Sequence, residues 1–348
     1  MCPPAPGIAV IPLLLPPNWV PRFYRGGRAI AALRGVEAPG ERVPEDWVGS
    51  TTTVLGEEEM GLSALPDGRR LRDAIAADPV GFLGPDHAAR RGPDPALLVK
   101  LLDAGERLPV HVHPDDAFAR EALGAPAGKT EAWIVLAANP GAGVAVGFRD
   151  DVAPEALERW VREQDHDAML AALNPLPVAP GDAIFVPAGT PHAIGEGLLI
   201  VELQQASDMS VLLEWEGFGV VGEDEATLGL GWAAGLGAVD LRRCDPATLR
   251  APDGRGDGGV ARLLPEAAAA FFRAERIAPA PIARLHQGFA VLVVTEGAGA
   301  LLTESGGPLP VRRGDTVLVP WGAGTCHLEG DVVAIACRPP ATGPGGLR

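Results

Sequence analysis

The sequence predicts a mostly β protein whose strands close into barrels, interrupted by helical insertions. Three observations predict it. Short stretches at 131–136, 182–186 and 198–205 alternate or run apolar over strand lengths and are separated by Pro/Gly turns. The 348 residues include 45 glycines and 35 prolines yet are 47% hydrophobic, which makes a turn-rich chain with material for real cores. Finally, Arg313-Gly314-Asp315 followed by Pro320 echoes Gly181-Asp182 followed by Pro187, so a β unit is repeated along the chain.

Taken in order, residues 1–50 hold short apolar runs among Pro and Gly, and Trp47 precedes a small-residue strand over 48–55. Residues 69–83 form a helix with Leu71, Ile75 and Phe82 on one side. A buried strand at 97–102 turns at Gly105-Glu106 into His111-Val112-His113-Pro114. Asp115 caps a helix over 116–123 that Gly124 stops. Pro154 opens a second helix reaching about residue 173, with Leu157, Trp160, Val161 and Leu170 covering a barrel edge. Strands 182–186 and 198–205 flank His192. In the latter, Leu198, Ile200, Glu202 and Gln204 share one face. If that face looks inward, Glu202 and Gln204 are buried polar groups that need partners or a task; if outward, both are simply solvated. Segments 223–240 and 265–274 read as connecting and helical. A second β unit follows at 289–295, 297–303, 310–320 and 332–337. The expected organisation is an N-terminal domain over 1–220, a connecting segment over 221–278 and a C-terminal β domain over 279–348. The last lacks a His-x-His pair and is expected to hold no metal, leaving His286 and His327 as structural or surface residues.

A formal net charge of −16 argues against nucleic-acid or anionic-membrane partners and requires a local cationic pocket for any anionic substrate. Cys2, Cys244, Cys326 and Cys337 make no C-x-x-C, and read as free thiols in a reducing cytoplasm. The start, Met1-Cys2-Pro3-Pro4, has no basic residue, and the apolar run at 8–15 is too short and Pro-broken for a signal or a span.

The chemistry concentrates in three stretches. His111 and His113 are two apart, so on a strand they point to one face. Glu131 opens a strand after Gly128-Lys129-Thr130, and His192 ends the turn Pro187-Ala188-Gly189-Thr190-Pro191. A lone His-x-His pair is usually structural, but three imidazoles and a carboxylate on neighbouring strands suit Zn²⁺, Fe²⁺, Mn²⁺ or Ni²⁺. The only lysines, Lys100 and Lys129, flank this set among 29 basic residues. Chance explains such placement, but so does a need for a compact cation able to move a proton or contact a hydroxyl or phosphate.

These stretches resemble the type I mannose-6-phosphate isomerases, the zinc cupin family, in their short bacterial form. The resemblance runs through Pro12-Leu13-Leu14-Leu15-Pro16, Gly26-Gly27, Pro44-Glu45-Asp46-Trp47-Val48-Gly49-Ser50, residues 108–116, Gly128-Lys129-Thr130-Glu131 and 186–195. It implies cupin (RmlC-like) double-stranded β-helix barrels in a bicupin. It implies metal ligands His111, His113, Glu131 and His192, with His where the family usually has Gln at the first of these. It implies catalytic roles for Lys129 and Glu202 and substrate contacts from Lys100, Gln204 and Asp208. The family's pattern after its last His ligand is met by Glu202, Gln204, Ser207 and Asp208, but Leu212 stands where an Arg is expected. Leucine cannot pair with phosphate. Arg107 and Arg149 are the candidates to substitute. The implied activity is mannose-6-phosphate to fructose-6-phosphate isomerisation through a cis-enediolate. Isomerisation of an unphosphorylated aldose, a non-catalytic sugar-binding cupin and an iron-dependent oxygenase stand as alternatives. The sequence leaves the oligomeric state open.

Overall fold

Three antiparallel sheets organise the chain in a computed structural model that describes residues 11–220, 222–251, 259–304 and 306–341. One sheet orders its six strands as Trp19–Val20, Glu45–Val48, Leu98–Ala104, Leu198–Gln204, Glu131–Ala138 and Ala183–Val186. A five-stranded sheet orders Val211–Leu212, His111–Val112, His192–Ile194, Gly143–Phe148 and Leu173–Pro177. The two share one core, in which Trp133, Val135, Ile184, Val186 and Ile200 of the first meet Val144, Val146 and Ile194 of the second.

The strand Leu198–Gln204 is covered on both faces, which is why it reads as a nearly unbroken apolar run. Leu198 and Ile200 face the core between the two sheets, while Leu199, Val201 and Leu203 pack outward into a second core. Glu202 and Gln204 therefore look inward, and both are buried. Outside the five-stranded sheet, a layer built from Leu157, Val161, Met169 and neighbours covers Val112, Phe148 and Val211.

The remaining eight-stranded sheet centres on the long hairpin partners Ala290–Thr303 and Cys326–Arg338. It also takes in Leu13–Leu14, Gly259–Arg262 and Arg273–Ala278, so its strands begin before residue 279 and recruit the N-terminal segment. Leu263, Phe272, Val291 and Ile335 of this unit pack in one core with Leu71, Ile75, Val99 and Val201.

Several expected elements differ in detail. The helix over 69–83 is two helices, Leu71–Ala77 and Pro79–Leu83. Pro79 lacks the N–H that would continue the first, and the Asp78 carboxylate instead caps the second through Gly81 N. The helix from Pro154 likewise ends at Glu163, where Gln164 turns left-handed with φ 48°, and Asp165 caps a new helix, His166–Ala172. Residues 265–274 give a 3₁₀ turn, Glu266–Ala270, and then a strand rather than a helix. The strand near Trp47 is Glu45–Val48 and stops at Gly49, whose φ is 61°. The stretches 289–295 and 297–303 are one strand, Ala290–Thr303, with a bulge between Val294 and Glu296. The helix Asp116–Leu123 is capped by Asp115 and closed by left-handed Gly124, as its sequence signals. Cys244, Cys326 and Cys337 are free, whereas Cys2 and the rest of residues 1–10 lie outside the described residues. No helix among the described residues is long and apolar enough to cross a membrane.

Candidate metal centre and active site

The two N-terminal sheets supply the site from opposite sides. His192 pairs with His111 across adjacent strands of the five-stranded sheet, and Leu212 pairs with His111 on its other flank. Glu131 and Glu202 come from adjacent strands of the six-stranded sheet, in which Glu202 pairs with both Lys100 and Trp133. The rings of His111, His113 and His192 are buried, and one ligand-capable atom from each lies within 4.8 Å of the others. Glu131 reaches across, its Oε2 2.9 Å from His113 Nε2 and its Oε1 3.2 Å from His192 Nε2.

The backbone decides which ring nitrogen carries the proton. His111 Nδ1 lies 2.9 Å from Pro109 O, His113 Nδ1 3.0 Å from Met209 O, and His192 Nδ1 2.8 Å from Thr190 O. A carbonyl only accepts, so each Nδ1 donates its proton and each Nε2 keeps a lone pair. Burial, then the neighbouring imidazoles, pushes the His111 pKa well down. Burial and the Lys129 charge take His113 to about 3. His111 and His113 are thus set as neutral ligands.

The donor set fits a cation on a further count. His113 Nε2 and Glu131 Oε2 are two acceptors facing each other at close range, and Glu131 Oε2 and His192 Nε2 are buried without a hydrogen-bond partner. Like-signed lone pairs in that arrangement repel unless positive charge lies among them. Here Lys129 supplies some, with Nζ 3.0 Å from His113 Nε2 and 3.2 Å from Glu131 Oε2. Burial raises the Glu131 pKa, but the Lys129 ammonium outweighs it and holds the carboxylate ionised, well below its usual range.

The motif Gly128-Lys129-Thr130-Glu131 has a mechanical basis. A Cβ on Gly128 would lie 2.4 Å from Pro114 O and 2.5 Å from Asp115 C, so only glycine lets this segment cross the His-x-His strand. Lys129 N then donates to Pro114 O at 2.9 Å, and Thr130 Oγ1 accepts from Ala188 N at 3.3 Å. Gly189, with φ 85°, turns the His192 loop so that its N–H reaches His113 O at 2.8 Å.

Beside the ligand set lies a small cavity lined by Arg22, Tyr24, Glu45, Lys100, Lys129, Glu131, Glu202, Ser210 and Leu212, among others. Lys100 Nζ sits 3.5 Å from both Glu45 Oε2 and Glu202 Oε1, and its ammonium lies 5.0 Å from the centre of the Trp47 ring. Tyr24 OH donates a short hydrogen bond to Glu45, and Trp47 Nε1 donates at 2.6 Å to the other oxygen. Burial opposes charge on Glu45, yet Lys100 and Arg22 dominate and hold its pKa down to about 2. Glu202 goes the other way. Burial, which Lys100 only partly offsets, pushes its pKa up to about 7, and its Oε1 has no hydrogen-bond partner.

Of the residues expected in the site, Lys100, Lys129, Glu131, Glu202 and His111 line the cavity. Gln204 and Asp208 do not. Gln204 Nε2 donates to the Ser207 carbonyl through a short bond, and Asp208 accepts from Arg22 Nη1 at 2.9 Å and from Leu55 N at 3.2 Å. Both pin the loop that follows the Glu202 strand. Arg107 is held by Glu214 at 2.5 and 2.7 Å, and Arg149 is exposed against Ala171 O, so neither lines the cavity. The arginine that shares a wall with Leu212 is Arg22. Sequence reasoning missed Arg22, Tyr24 and Glu45 as site residues. Their signal was the segment leading into Gly26-Gly27 and the Glu two residues before Trp47.

No protein-family model matches the chain. Over 187 residues it is 34% identical to the mannose-6-phosphate isomerase of Streptococcus mutans, covering 53% of this chain and 54% of that protein. Over 206 residues it is 31% identical to mannose-6-phosphate isomerase ManA of Bacillus subtilis, covering 58% and 60%. The matches thus span little more than half the length of these curated relatives. In structure it superposes on a mannose 6-phosphate isomerase from Bacillus subtilis with a TM-score of 0.74 at 24% identity, over 94% of this chain and 99% of the other. It superposes equally on a phosphomannose isomerase mutant from Salmonella typhimurium, with a TM-score of 0.74 at 17% identity over 95% and 100%. At those identities the structural matches speak to the fold. Mannose-6-phosphate isomerases are thus what the chain is similar to, in sequence over little more than half its length and in fold over nearly all of it.

Proposed function

We propose that the protein is a metal-dependent aldose–ketose isomerase that interconverts mannose-6-phosphate and fructose-6-phosphate. The single observation that carries the reading is the convergence of three Nε2 lone pairs and the Glu131 carboxylate, with every Nδ1 already committed to a backbone carbonyl. His111, His113, His192 and Glu131 would hold a divalent cation, Zn²⁺ or alternatively Fe²⁺, Mn²⁺ or Ni²⁺. When bound, that ion would polarise the sugar carbonyl and its neighbouring hydroxyl. The facing N-terminal sheets fit a cupin double-stranded β-helix around this site, and the C-terminal β unit fits a second, metal-free barrel. Three free cysteines fit a reducing cytoplasm.

The chain's own residues handle the proton. Glu202 is a buried carboxylate whose pKa near 7 suits a group that takes a proton from C2 of the open-chain sugar and returns it to C1. Removal of the C2 proton leaves a cis-enediolate; return of the proton to C1, with the hydroxyl proton passing from O2 to O1, gives the ketose. Lys100 neutralises Glu202 from 3.5 Å and is itself held by Glu45. Lys129 lies between the ligand set and Glu202, 4.0 Å from the latter. It must release the His113 lone pair when a metal takes it, which frees its ammonium to contact a sugar oxygen.

A second reading, an isomerase of an unphosphorylated aldose, is favoured by Leu212 in the cavity wall. Arg22 is the guanidinium beside it, but Asp208 and Glu45 already engage it. Measuring kcat/KM for mannose-6-phosphate and mannose separates the two. A preference of about 100-fold or more for the ester is expected, the scale of a charge-assisted hydrogen bond that only the phosphate can accept; equal values or a preference for mannose would establish the second reading. Sugar binding without turnover on either would mark a non-catalytic binder.

A further inference from the structure

A second cavity, of about 340 Å³, opens where the helices Pro79–Leu83 and Pro85–Arg91 meet the C-terminal sheet. It shares no lining residue with the cavity at the metal centre. Its volume lies in the range of small-molecule sites. Three arginines, Arg262, Arg273 and Arg338, and three carboxylates, Asp86, Glu266 and Glu275, line it.

Two of the arginines are matched. Arg262 pairs with Glu266 at 2.9 Å. Arg338 pairs with Glu275 at 3.0 Å and donates to the His286 carbonyl at 3.2 Å. Arg273 is different: its Nε donates to Pro339 O at 3.1 Å, and among the described residues no carboxylate lies within ion-pair distance of it. Partial burial, and then the charge of Arg338, lower its pKa against the opposing pull of Glu275, and Arg262 adds to the lowering. A guanidinium partly withdrawn from water and crowded by like charge is stabilised by any oxyanion that reaches its two-pronged face.

Part of the lining is apolar, and Trp321 is its largest side chain. Gly84, with φ 87°, lies so close to the Trp321 indole that a Cβ there would be 2.5 Å from Cδ1. The helix junction therefore closes over one face of the ring and leaves the other face for a ligand, and Phe272 and Phe289 add to the apolar lining.

We propose that this cavity binds a small organic oxyanion, its phosphate or carboxylate head on Arg273 and its flat body against Trp321. The proposal does not depend on the isomerase reading. It is tested on the full-length protein by calorimetry and tryptophan fluorescence with three probes: adenosine monophosphate, benzoate and inorganic phosphate. Saturable binding of the nucleotide, of benzoate or of both, tighter than inorganic phosphate, is expected; the two arms separate a phosphate head from a carboxylate head. Arg273→Gln should weaken that binding about tenfold or more and leave kcat/KM at the metal centre unchanged. Should that variant fail to fold, Arg273→Lys keeps the charge without the planar fork and is read the same way. No saturable binding of any probe, or binding as tight in the Arg273 variant as in the parent, overturns the proposal. The latter result includes probes that lodge at the metal centre instead.

Discussion

Glu202 and Glu45 are both buried glutamates within 3.5 Å of the same ammonium, yet one titrates near 7 and the other near 2. The difference lies in their company. Glu45 also has Arg22, Tyr24 and Trp47, whereas Glu202 has like charge from Glu131 and an oxygen with no hydrogen-bond partner. Glu202→Gln should lower kcat/KM by about 10²–10⁴-fold, the usual worth of a positioned proton carrier, while metal content stays at the parent's level. Because the base works when deprotonated, kcat/KM should rise with pH along an acid limb centred at or below about 7, since a bound cation pulls that value down. Glu45→Gln should act on stability instead. Removing one partner of a buried pair costs about 3–5 kcal/mol, read as the drop in urea unfolding free energy at pH 7. Its folded pKa lies below the ordinary 4.5, so this contribution is present above that value and is lost as pH falls toward 2. The gap between parent and variant should therefore narrow from pH 5 to pH 3.

At the scale of elements, the segment from Asp115 to Glu131 carries the local logic of the site. Its helix ends were legible because an N-cap carboxylate and a C-terminal glycine are purely local signals. The breaks at Asp78-Pro79 and at Gln164 were harder to read, although each is followed by a capping interaction. A run of apolar residues at helical spacing continues across both, and it masks interruptions of one residue and of two. Gln164 turns left-handed because its side chain is drawn into the fold, where it donates to Leu213 O and accepts from Trp215 N and Glu216 N. That is a tertiary cause invisible in the periodicity. The inward face of Leu198–Gln204 was readable as a face, but only the packing of both neighbouring sheets decides which side it looks to. Gly128→Ala tests how tightly the segment is fitted. Its Cβ would meet backbone, which cannot yield as a side chain can, so a destabilisation of about 1–3 kcal/mol is expected. A matching displacement of Lys129 should lower kcat/KM. An unchanged thermal midpoint and full activity would show that the crossing is loose.

For the whole molecule, the fold brings residues more than a hundred positions apart to one cavity. Arg22 and Glu45 approach Lys100 and Glu202 only because the first strands of the chain lie at the edge of the six-stranded sheet. No spacing rule reaches across such distances, which is why these residues escaped a reading of the sequence while His111, His113 and His192, tied to local strand and turn patterns, did not. The same topology explains how the chain's acidic total coexists with a cavity carrying three cations beside three glutamates. The central claim is that His111, His113, Glu131 and His192 hold a divalent ion on which isomerisation depends. The most direct test is to strip the purified protein with a chelator, dialyse it, and measure bound metal together with conversion of mannose-6-phosphate before and after Zn²⁺, Fe²⁺, Mn²⁺ or Ni²⁺ is returned. The account predicts one ion per chain in the active protein, activity at background without it, and recovery on re-addition. Full turnover by protein shown to be metal-free would contradict it.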